Sequence, residues 1–351
     1  MAEARYAMIE LALKGMTLAR LDRVFGQKFA GLGCILTFHH VRMVSDRIFP
    51  QNSLLEVTPS FFEGVLRLLR ELNYDIIPMD ALKSRLENHN PSRPFCALTF
   101  DDGYYDNRDY ALPILKRYDA PCTVYVVPGF ADRTTPLWWL DLEDAVRASD
   151  EINVELPNGR FVHPTRSLDE KKAGFKRLYW NMRGLSEMQV REIVAMMAAN
   201  AGIDTMDRVA RLCMDWSELR DFARDPLVTI GAHTNTHPRL RTLDEAQSRH
   251  EILDGKARIE RELGQEVRHI AYPVGDPTSA GPREFALSAE AGYETAVTTR
   301  PGVLFQEHAS HLHALPRISV NGLFQNADYL RTLISGLPLM LKNRGKKLNV
   351  E

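Results

Sequence analysis

Two short stretches of the sequence place metal-binding and acid–base side chains directly after apolar runs. Asp101, Asp102 and Gly103 follow the apolar run 96–100, which predicts a strand. Neighbouring residues at the end of a strand point in different directions, so one carboxylate can bind a metal ion while the other faces a substrate. Gly103 allows the backbone to turn sharply there. Taken alone, an Asp-Asp-Gly sequence is more typical of an ordinary turn.

His233 and His237 follow a second apolar run, 227–230. Histidines four residues apart are expected on one face of a helical turn, where both can ligate one metal ion. Such a pair alone is more often a surface feature. Together with the aspartate pair, and with both at strand ends, it predicts a metal site formed by Asp102, His233 and His237. Three protein ligands leave a position open for water, as in catalytic zinc sites, so Zn²⁺ is the expected divalent ion.

The stretches 99–103 (TFDDG) and 233–238 (HTNTHP) resemble the first two motifs of the polysaccharide deacetylases, carbohydrate esterase family 4 with its NodB-homology domain. The motifs stand in the family's order, and the resemblance covers roughly residues 35–320. It implies a metal-dependent hydrolase that removes N-acetyl groups from an aminosugar-containing polysaccharide, a chitooligosaccharide-like oligosaccharide or a glycolipid precursor. An O-acetyl carbohydrate esterase, a deformylase of a lipid-linked aminosugar and a non-catalytic glycan-binding barrel are the alternatives.

The resemblance extends to a branch of the family with a histidine motif near the N-terminus. Phe38 and His39 fit that motif, which makes His39 the candidate general acid and His40 the alternative. The alternative is a purely structural role, in which His39 ends a strand and is hydrogen-bonded to a loop carbonyl. The third motif, 271–275, has the Ala-Tyr-Pro-x-Gly form of the same branch, with Ala271 where other members have an arginine that holds the base. Arg317 is the candidate replacement, and an ordinary surface ion pair is its alternative.

These residues support a hypothesis for catalysis. Asp101 accepts a proton from the attacking water as general base, and the backbone N–H of Tyr104 stabilises the oxyanion. His39 then protonates the departing amine. A bound metal ion lowers the pKa of its water to near neutrality.

Apolar runs alternate with helical patterns along most of the chain, which predicts an α/β fold with a parallel sheet. The family resemblance makes this a distorted (β/α)7-type barrel over residues 34–335. A mostly helical insertion at about 136–216 interrupts the alternation and is expected beside the mouth of the barrel. Its tandem Trp138 and Trp139 either stack on sugar rings or belong to the core.

The ends of the chain form separate predicted segments. Residues 1–33 are expected to form an amphipathic helix, with Ile9, Leu13, Met16 and Leu21 on one side, that packs on the barrel or lies against a membrane surface. Residues 336–351 form a basic tail. Peripheral membrane contact through the termini is therefore an alternative to simple packing.

Composition narrows the class of protein further. With 26% charged residues and a formal net charge of -2, the 351-residue chain has no charge signature of nucleic-acid binding. Its 4 cysteines form no C-x-x-C pair, so a cysteine zinc site is not expected, and Cys96 and Cys122 are expected as buried thiols. Without a recognisable signal peptide or membrane span, the expectation is a cytoplasmic enzyme acting on an acetylated glycan or glycolipid.

Overall fold

The computed structural model describes residues 2–21, 26, 28–43, 49–88 and 92–351. Its strands are β1 (Gly33–Phe38), β2 (His40–Val41), β3 (Glu56–Val57), β4 (Asp75–Ile77), β5 (Phe95–Phe100), β6 (Cys122–Val126), β7 (Glu151–Leu156), β8 (Gly159–Pro164), β9 (Val228–Ala232), β10 (His269–Ala271), β11 (Thr295–Pro301) and β12 (Leu315–Ser319). The helices are α1 (Ala2–Leu18), α2 (Pro59–Glu71), α3 (Leu82–Glu87), α4 (Leu112–Arg117), α5 (Pro128–Ala131), α6 (Trp138–Ala148), α7 (Leu168–Met182), α8 (Glu187–Asn200), α9 (Thr205–Leu212), α10 (Trp216–Phe222), α11 (Glu245–Leu263), α12 (Pro282–Glu290), α13 (Ala327–Ile334) and α14 (Leu337–Lys342).

Seven parallel strands close into a barrel in the order β1, β5, β6, β9, β10, β11 and β12, with β12 pairing back onto β1. The short strand β4 pairs with the first half of β5, outside this closed ring. Strands β1, β5 and β6 are buried at every position, as expected for parallel strands covered on both faces. The prediction of a distorted (β/α)7-type barrel is confirmed.

Helix α2 illustrates how the surrounding helices support the barrel. Thr58 caps its first turn by accepting a hydrogen bond from the Phe61 N–H, and Pro59 occupies a first-turn position where no helical N–H is needed. On its buried face, the Phe62 ring lies 5.1 Å from the ring of Phe38 and 5.6 Å from that of Phe100. These two phenylalanines are the last residues of β1 and β5, so α2 packs against the carboxyl ends of both strands.

The segment between α5 and β9 departs from the strand–helix alternation. It contains α6, the antiparallel hairpin β7–β8, and helices α7 to α10. Buried side chains of α6, β7, α7 and α8 form a hydrophobic cluster separate from that of the barrel, and Phe49 inserts into it from the loop after β2. Phe49 thereby anchors the chain that follows His39 and His40 to this segment.

The N-terminal helix differs from its prediction. Helix α1 ends at Leu18, short of the predicted residue 33, and residues 22–25 and 27 of the predicted helix lie outside the described residues. Of the side chains expected on one apolar face, Leu13 is buried but Ile9 is exposed. Leu11 is exposed as well.

Two further features bear on the predictions. All four cysteines, Cys34, Cys96, Cys122 and Cys213, are buried free thiols. Of the helices that the structure describes, none has the length and apolarity needed to cross a membrane.

Candidate active site

The candidate site residues meet at one end of the barrel because parallel strands all deliver their carboxyl ends to the same side. Asp101 and Asp102 follow β5, His233 follows β9, and His39 follows β1. Arg317 lies within β12, the strand that closes the ring between β11 and β1. The barrel therefore brings together side chains that the sequence places far apart.

Asp102, His233 and His237 converge on one point. Asp102 Oδ1 lies 3.7 Å from His233 Nε2 and 3.4 Å from His237 Nε2. The ligand atoms all lie within 4.8 Å of one another, and no other such group occurs in the described part of the chain. Asp102 Oδ1 is buried without a hydrogen-bond donor, which is costly unless a cation or a donor satisfies it. One carboxylate and two imidazoles match the donor set of a zinc-type site, so these residues fit a divalent ion.

The orientation of His233 also suits metal binding. Its Nδ1 lies 2.7 Å from the carbonyl oxygen of Ala271, which can only accept, so Nδ1 carries the proton and donates. Nε2 is then left with a free lone pair towards Asp102. Metal-ligating histidines commonly have this second hydrogen bond, because it fixes the tautomer and the plane of the ring.

The prediction that His233 and His237 share one face of a helical turn is wrong. Strand β9 ends at Ala232, and the residues after it form an irregular loop in which Thr234 and His237 both have a φ of 62°. The His237 N–H donates to Thr234 Oγ1 at 3.0 Å, a local bond that replaces a helical one. The two imidazoles converge through this left-handed loop geometry.

A carboxylate that sequence reasoning missed holds the same loop. Glu251, on α11, accepts hydrogen bonds from the backbone N–H groups of Asn235 and Thr236 at 2.9 and 2.7 Å. It also accepts the Thr236 hydroxyl at 2.7 Å. Nothing in the sequence around Glu251 distinguishes it from the other acidic residues of a charged helix, so only the tertiary structure identifies it.

Asp101 is held by Arg317. The two guanidinium nitrogens donate to the two carboxylate oxygens at 2.8 and 2.7 Å, and both side chains are buried. The alternative that Arg317 forms a surface ion pair is therefore wrong. Burial by itself would raise the pKa of Asp101. The charge and hydrogen bonds of Arg317, together with smaller contributions from His233 and His39, outweigh burial and keep that pKa well below its usual range. Asp101 is consequently ionised at neutral pH.

His39 lies at the same carboxylate. Its Nε2 is 3.9 Å from Asp101 Oδ2. Burial lowers the pKa of His39 to about 4, even though the charge of Asp101 opposes that shift. His39 is therefore neutral at pH 7 in the protein without substrate.

The two adjacent histidines have different surroundings. His40 Nδ1 donates to Asp106 Oδ2 at 2.6 Å, and its ring stacks on the Tyr104 ring with centroids 3.6 Å apart. Asp106 also accepts the Val41 N–H at 2.9 Å. His40, the alternative general acid, thus has no contact with Asp101, whereas His39 lies near it.

Asn107 completes this arrangement, since its side-chain amide donates to the carbonyl oxygen of His39 at 2.7 Å. The sequence alone assigns no role to Asp106 or Asn107. Both follow the predicted turn within five residues, and that proximity was the one available signal.

The turn after β5 has an unusual backbone. Asp102 and Gly103 have φ values of 75° and 67°, and the first of these is uncommon for a residue with a side chain. The turn places the buried ring of Tyr104 near Asp102. Burial is the main cause that raises the pKa of the Tyr104 hydroxyl, and the charge of Asp102 is the second. The backbone N–H of Tyr104 as an oxyanion donor stays a prediction.

Burial also raises the pKa of Asp102 to about 8, with the negative charge of Asp101 adding to the effect. Without a cation, this carboxyl group holds its proton at neutral pH. A metal ligand must be ionised, so a divalent ion has to displace that proton as it binds.

Of the tandem tryptophans, Trp139 forms part of the wall of the site. The Trp139 ring is buried, with its centroid 4.9 Å from that of His237. Trp138 is partly buried and stacks on Tyr179 with centroids 6.3 Å apart. The core interpretation therefore describes Trp139, whose ring closes the apolar side of the metal-ligand cluster.

Comparison with known proteins places this fold and site in one family. A family model described as polysaccharide deacetylase matches residues 88–296, which is more than half of the chain. The chain belongs to the polysaccharide deacetylase family, a family of carbohydrate deacetylases and therefore of hydrolases. The resemblance predicted from the motifs is confirmed.

Individual relatives are distant. The Bacillus subtilis protein YxkH, named as a polysaccharide deacetylase, is 23% identical over 268 residues, which are 76% of this chain and 66% of that protein. A Streptococcus pyogenes deacetylase, PplD, solved in complex with acetate, superimposes with a TM-score of 0.57 at 19% identity, covering 86% of this chain and 97% of that one. A de-N-acetylase from Aggregatibacter actinomycetemcomitans gives a TM-score of 0.51 at 14% identity, covering 86% and 98%. Both structures support the fold.

Proposed function

We propose that this chain is a Zn²⁺-dependent deacetylase that removes N-acetyl groups from an aminosugar-containing polysaccharide, oligosaccharide or glycolipid precursor. The observation that carries the proposal is the pairing of two adjacent carboxylates with opposite environments. Asp102 faces two imidazole nitrogens and has an unsatisfied oxygen, whereas Asp101 is ionised and neutralised by Arg317. Hydrolysis of an amide requires both an electrophilic site and a separate base, and this pair supplies the positions for both.

Asp102, His233 and His237 would hold the metal ion. When bound, the ion would supply Lewis-acid polarisation of the acyl oxygen and acidify a water molecule. The protein's contribution is to present three preoriented ligands and to exclude bulk water. The rings of Trp139 and Phe130 help to exclude bulk water, since their centroids lie 4.9 and 5.7 Å from that of His237.

Asp101 is the proposed general base. Its pairing with Arg317 keeps it charged and fixes both oxygens, so the carboxylate is held in position to accept a proton from water. The same pairing makes Asp101 a weak base by itself. Its efficiency therefore depends on how far the attacking water is acidified when the ion is bound.

His39 is the proposed general acid for the departing amine. Because burial lowers the pKa of His39 to about 4, it does not carry a stored proton at neutral pH. We infer that His39 obtains the proton during the reaction from Asp101, whose Oδ2 lies 3.9 Å from His39 Nε2. The proton taken from water at Asp101 would then leave through His39 on the amine, which balances the reaction.

The choice of an acetyl group on nitrogen draws on the named relatives. PplD was solved with acetate, the product of deacetylation, and the Aggregatibacter protein is named as a de-N-acetylase. The identity of the sugar, the length of the glycan and a cytoplasmic location remain predictions from the sequence.

Acetate release from N-acetylglucosamine oligomers by the purified protein tests the proposal. We expect release with added zinc and its loss after chelation. Asp101→Asn should lower turnover by about 10²–10⁴-fold while zinc, measured by elemental analysis, stays bound. Normal turnover in this variant would show that Asp101 is not the base.

Failure of the wild-type protein to release acetate would be informative if zinc is bound. O-acetylated and N-formylated sugars would then be tested in the same assay, since an esterase or deformylase needs the same ligands, base and acid. A zinc-loaded protein inactive on all three classes would overturn the enzymatic proposal in favour of a glycan-binding barrel.

A further inference from the structure

Helix α1 has an apolar face in contact with solvent. Met8, Leu11 and Leu18 are 65%, 71% and 75% exposed. Their spacing places them on one side of the helix together with Gly15, where an added Cβ would meet no atom within 4 Å. An exposed leucine alone is ordinary, but a helix face made of three large apolar side chains is typical of an interaction site.

The opposite face of α1 is the one that packs on the protein. Leu13 is buried, and Thr17 Oγ1 lies 2.8 Å from Thr332 Oγ1 of α13. The Tyr6 ring contacts Phe324, in the short 3₁₀ turn Gly322–Phe324, with centroids 6.2 Å apart. The helix is therefore docked on the barrel, and its exposed apolar face is not explained by its own packing.

Neighbouring elements continue the pattern. We call α1, the turn 322–324, α13 and α14 the terminal layer, because α1 packs on α13 and α13 packs on α14. Leu323 and Leu341, within this layer, are 44% and 62% exposed. Six of the 14 large apolar side chains exposed in the described part of the chain belong to the terminal layer. Exposed apolar surface is thus concentrated where the two ends of the chain meet.

Charge in the terminal segments is opposite to that of the rest of the chain. Residues 2–21 and 322–351 contain 8 basic and 4 acidic residues, whereas the whole chain has a formal net charge of -2. Lys14 lies beside the apolar face of α1, and Lys342 and Arg344 follow the exposed Leu341. A basic, apolar surface attracts an anionic one.

We propose that the terminal layer docks on the surface of an anionic lipid bilayer. The apolar side chains of α1 insert at the boundary between headgroups and acyl chains, and the surrounding Lys and Arg side chains contact lipid phosphates. A second copy of the chain is the less favourable occupant, because it would bring the same positive charge to the interface. This docking does not depend on the proposed deacetylase activity.

Vesicle flotation of the full chain tests the docking. We expect the protein to float with vesicles containing roughly one third phosphatidylglycerol, to float poorly with pure phosphatidylcholine, and to dissociate as salt is raised. Leu11→Glu combined with Leu18→Glu should reduce the bound fraction about tenfold or more. The matched control is Val162→Glu, an exposed apolar position on the β7–β8 hairpin, which should bind like the wild type.

Three flotation results would overturn the proposal: no flotation with either vesicle, equal flotation with both, or equal loss of binding in the Val162→Glu control. A concentration-dependent dimer that Leu11→Glu abolishes would also overturn it and assign the face to self-association. Acetate release from soluble oligomers should be unchanged in the α1 variants. An inactive protein that still binds vesicles would refute the deacetylase proposal alone.

Discussion

The ion pair between Asp101 and Arg317 is the strongest electrostatic feature of the site. Both side chains are buried, and the contact is bidentate. Removing one partner of such a pair leaves an uncompensated charge in a low-dielectric environment. We therefore expect Arg317→Met to destabilise the protein by about 3–5 kcal/mol, measured as the free energy of unfolding in urea.

A double-mutant cycle separates the ion pair from simple loss of packing. Adding Asp101→Asn to Arg317→Met removes the stranded carboxylate, so the double variant should be more stable than Arg317→Met alone. Equal or lower stability of the double variant would mean that the arginine acts mainly through its other contacts, such as its bond to the Thr298 carbonyl.

Asp106 and His40 support the chain next to His39, the candidate acid. Because Asp106 holds His40 and the Val41 N–H, and Asn107 holds the His39 carbonyl, these residues fix the chain around His39. Asp106→Ala should lower kcat about tenfold with little change in KM, since it disturbs positioning without touching substrate. Steady-state kinetics on acetylated oligomers would measure both constants.

Asp109→Ala is the matched control for this prediction, because Asp109 is an exposed carboxylate in the helical turn Asn107–Ala111 that Asp106 precedes. It should keep both constants close to those of the wild type. A rise in KM at constant kcat in Asp106→Ala would instead indicate that Asp106 belongs to the substrate-binding surface.

At the scale of elements, the loop after β9 depends on a helix that is distant in sequence. Glu251 of α11 accepts two backbone N–H groups and one hydroxyl from the residues between His233 and His237. Glu251→Gln presents an amide NH₂ to those donors and should loosen the loop. We expect zinc affinity to fall about 10–100-fold, measured by calorimetric titration.

Glu245→Gln, in the exposed first turn of α11, provides the control and should bind zinc like the wild type. Unchanged affinity in Glu251→Gln would show that the left-handed residues Thr234 and His237 hold the loop without its help.

The insertion is tied to the same loop. Arg191 of α8 donates to the carbonyl oxygen of Thr236. Arg239, which follows the loop, donates to the carbonyl oxygens of Arg183 and Leu185 at 2.7 Å each. The inserted helices therefore buttress the metal-ligand loop.

At the scale of the whole molecule, the two ends of the barrel have different tasks. The carboxyl ends of the strands hold the candidate site, and the opposite end carries a buried histidine, His269, bonded to Asp80 at 2.7 Å and to Thr295 at 2.8 Å. In barrels of this kind, polar contacts at the amino-terminal end contribute to stability and leave catalysis unaffected.

The Asp80 contact predicts a pH dependence of stability. The hydrogen bond from His269 lowers the pKa of Asp80 below its ordinary value of 3.8, although partial burial opposes the shift. Because the folded-state pKa is the lower one, the stabilisation is fully present above pH 3.8 and is lost as the pH falls through the folded-state pKa. Asp80→Asn should therefore unfold more easily than the wild type near neutral pH, with the difference shrinking in acid.

Urea unfolding of both proteins across the acid range would measure this difference, and turnover on oligomers should be unchanged. A difference that grows as the pH falls would contradict the assignment of Asp80 as an ionised partner. Reduced turnover at full stability would show that the two ends of the barrel are coupled.

Much of the chemistry could be predicted from the chain alone, because it depends on neighbouring residues. The adjacent Asp101 and Asp102 after an apolar run, and the histidine pair after another, define strand ends with metal-ligand and base chemistry. The strand–helix alternation that predicts a parallel barrel is likewise a local signal, because it is visible in the periodicity of consecutive residues.

Two kinds of feature could be identified only from the tertiary structure: contacts between residues distant in sequence, and left-handed backbone torsions. Arg317 reaches Asp101 across 216 positions because β12 closes the ring against β1, and its sequence surroundings equally fitted a surface arginine. The two adjacent histidines also differ only in the folded chain, where His40 is hydrogen-bonded to Asp106 and His39 lies near Asp101. The histidine loop is left-handed at Thr234 and His237, where residue spacing indicated a helix. Sequence patterns encode which side chains follow a strand, whereas the closure of the barrel decides which of them meet.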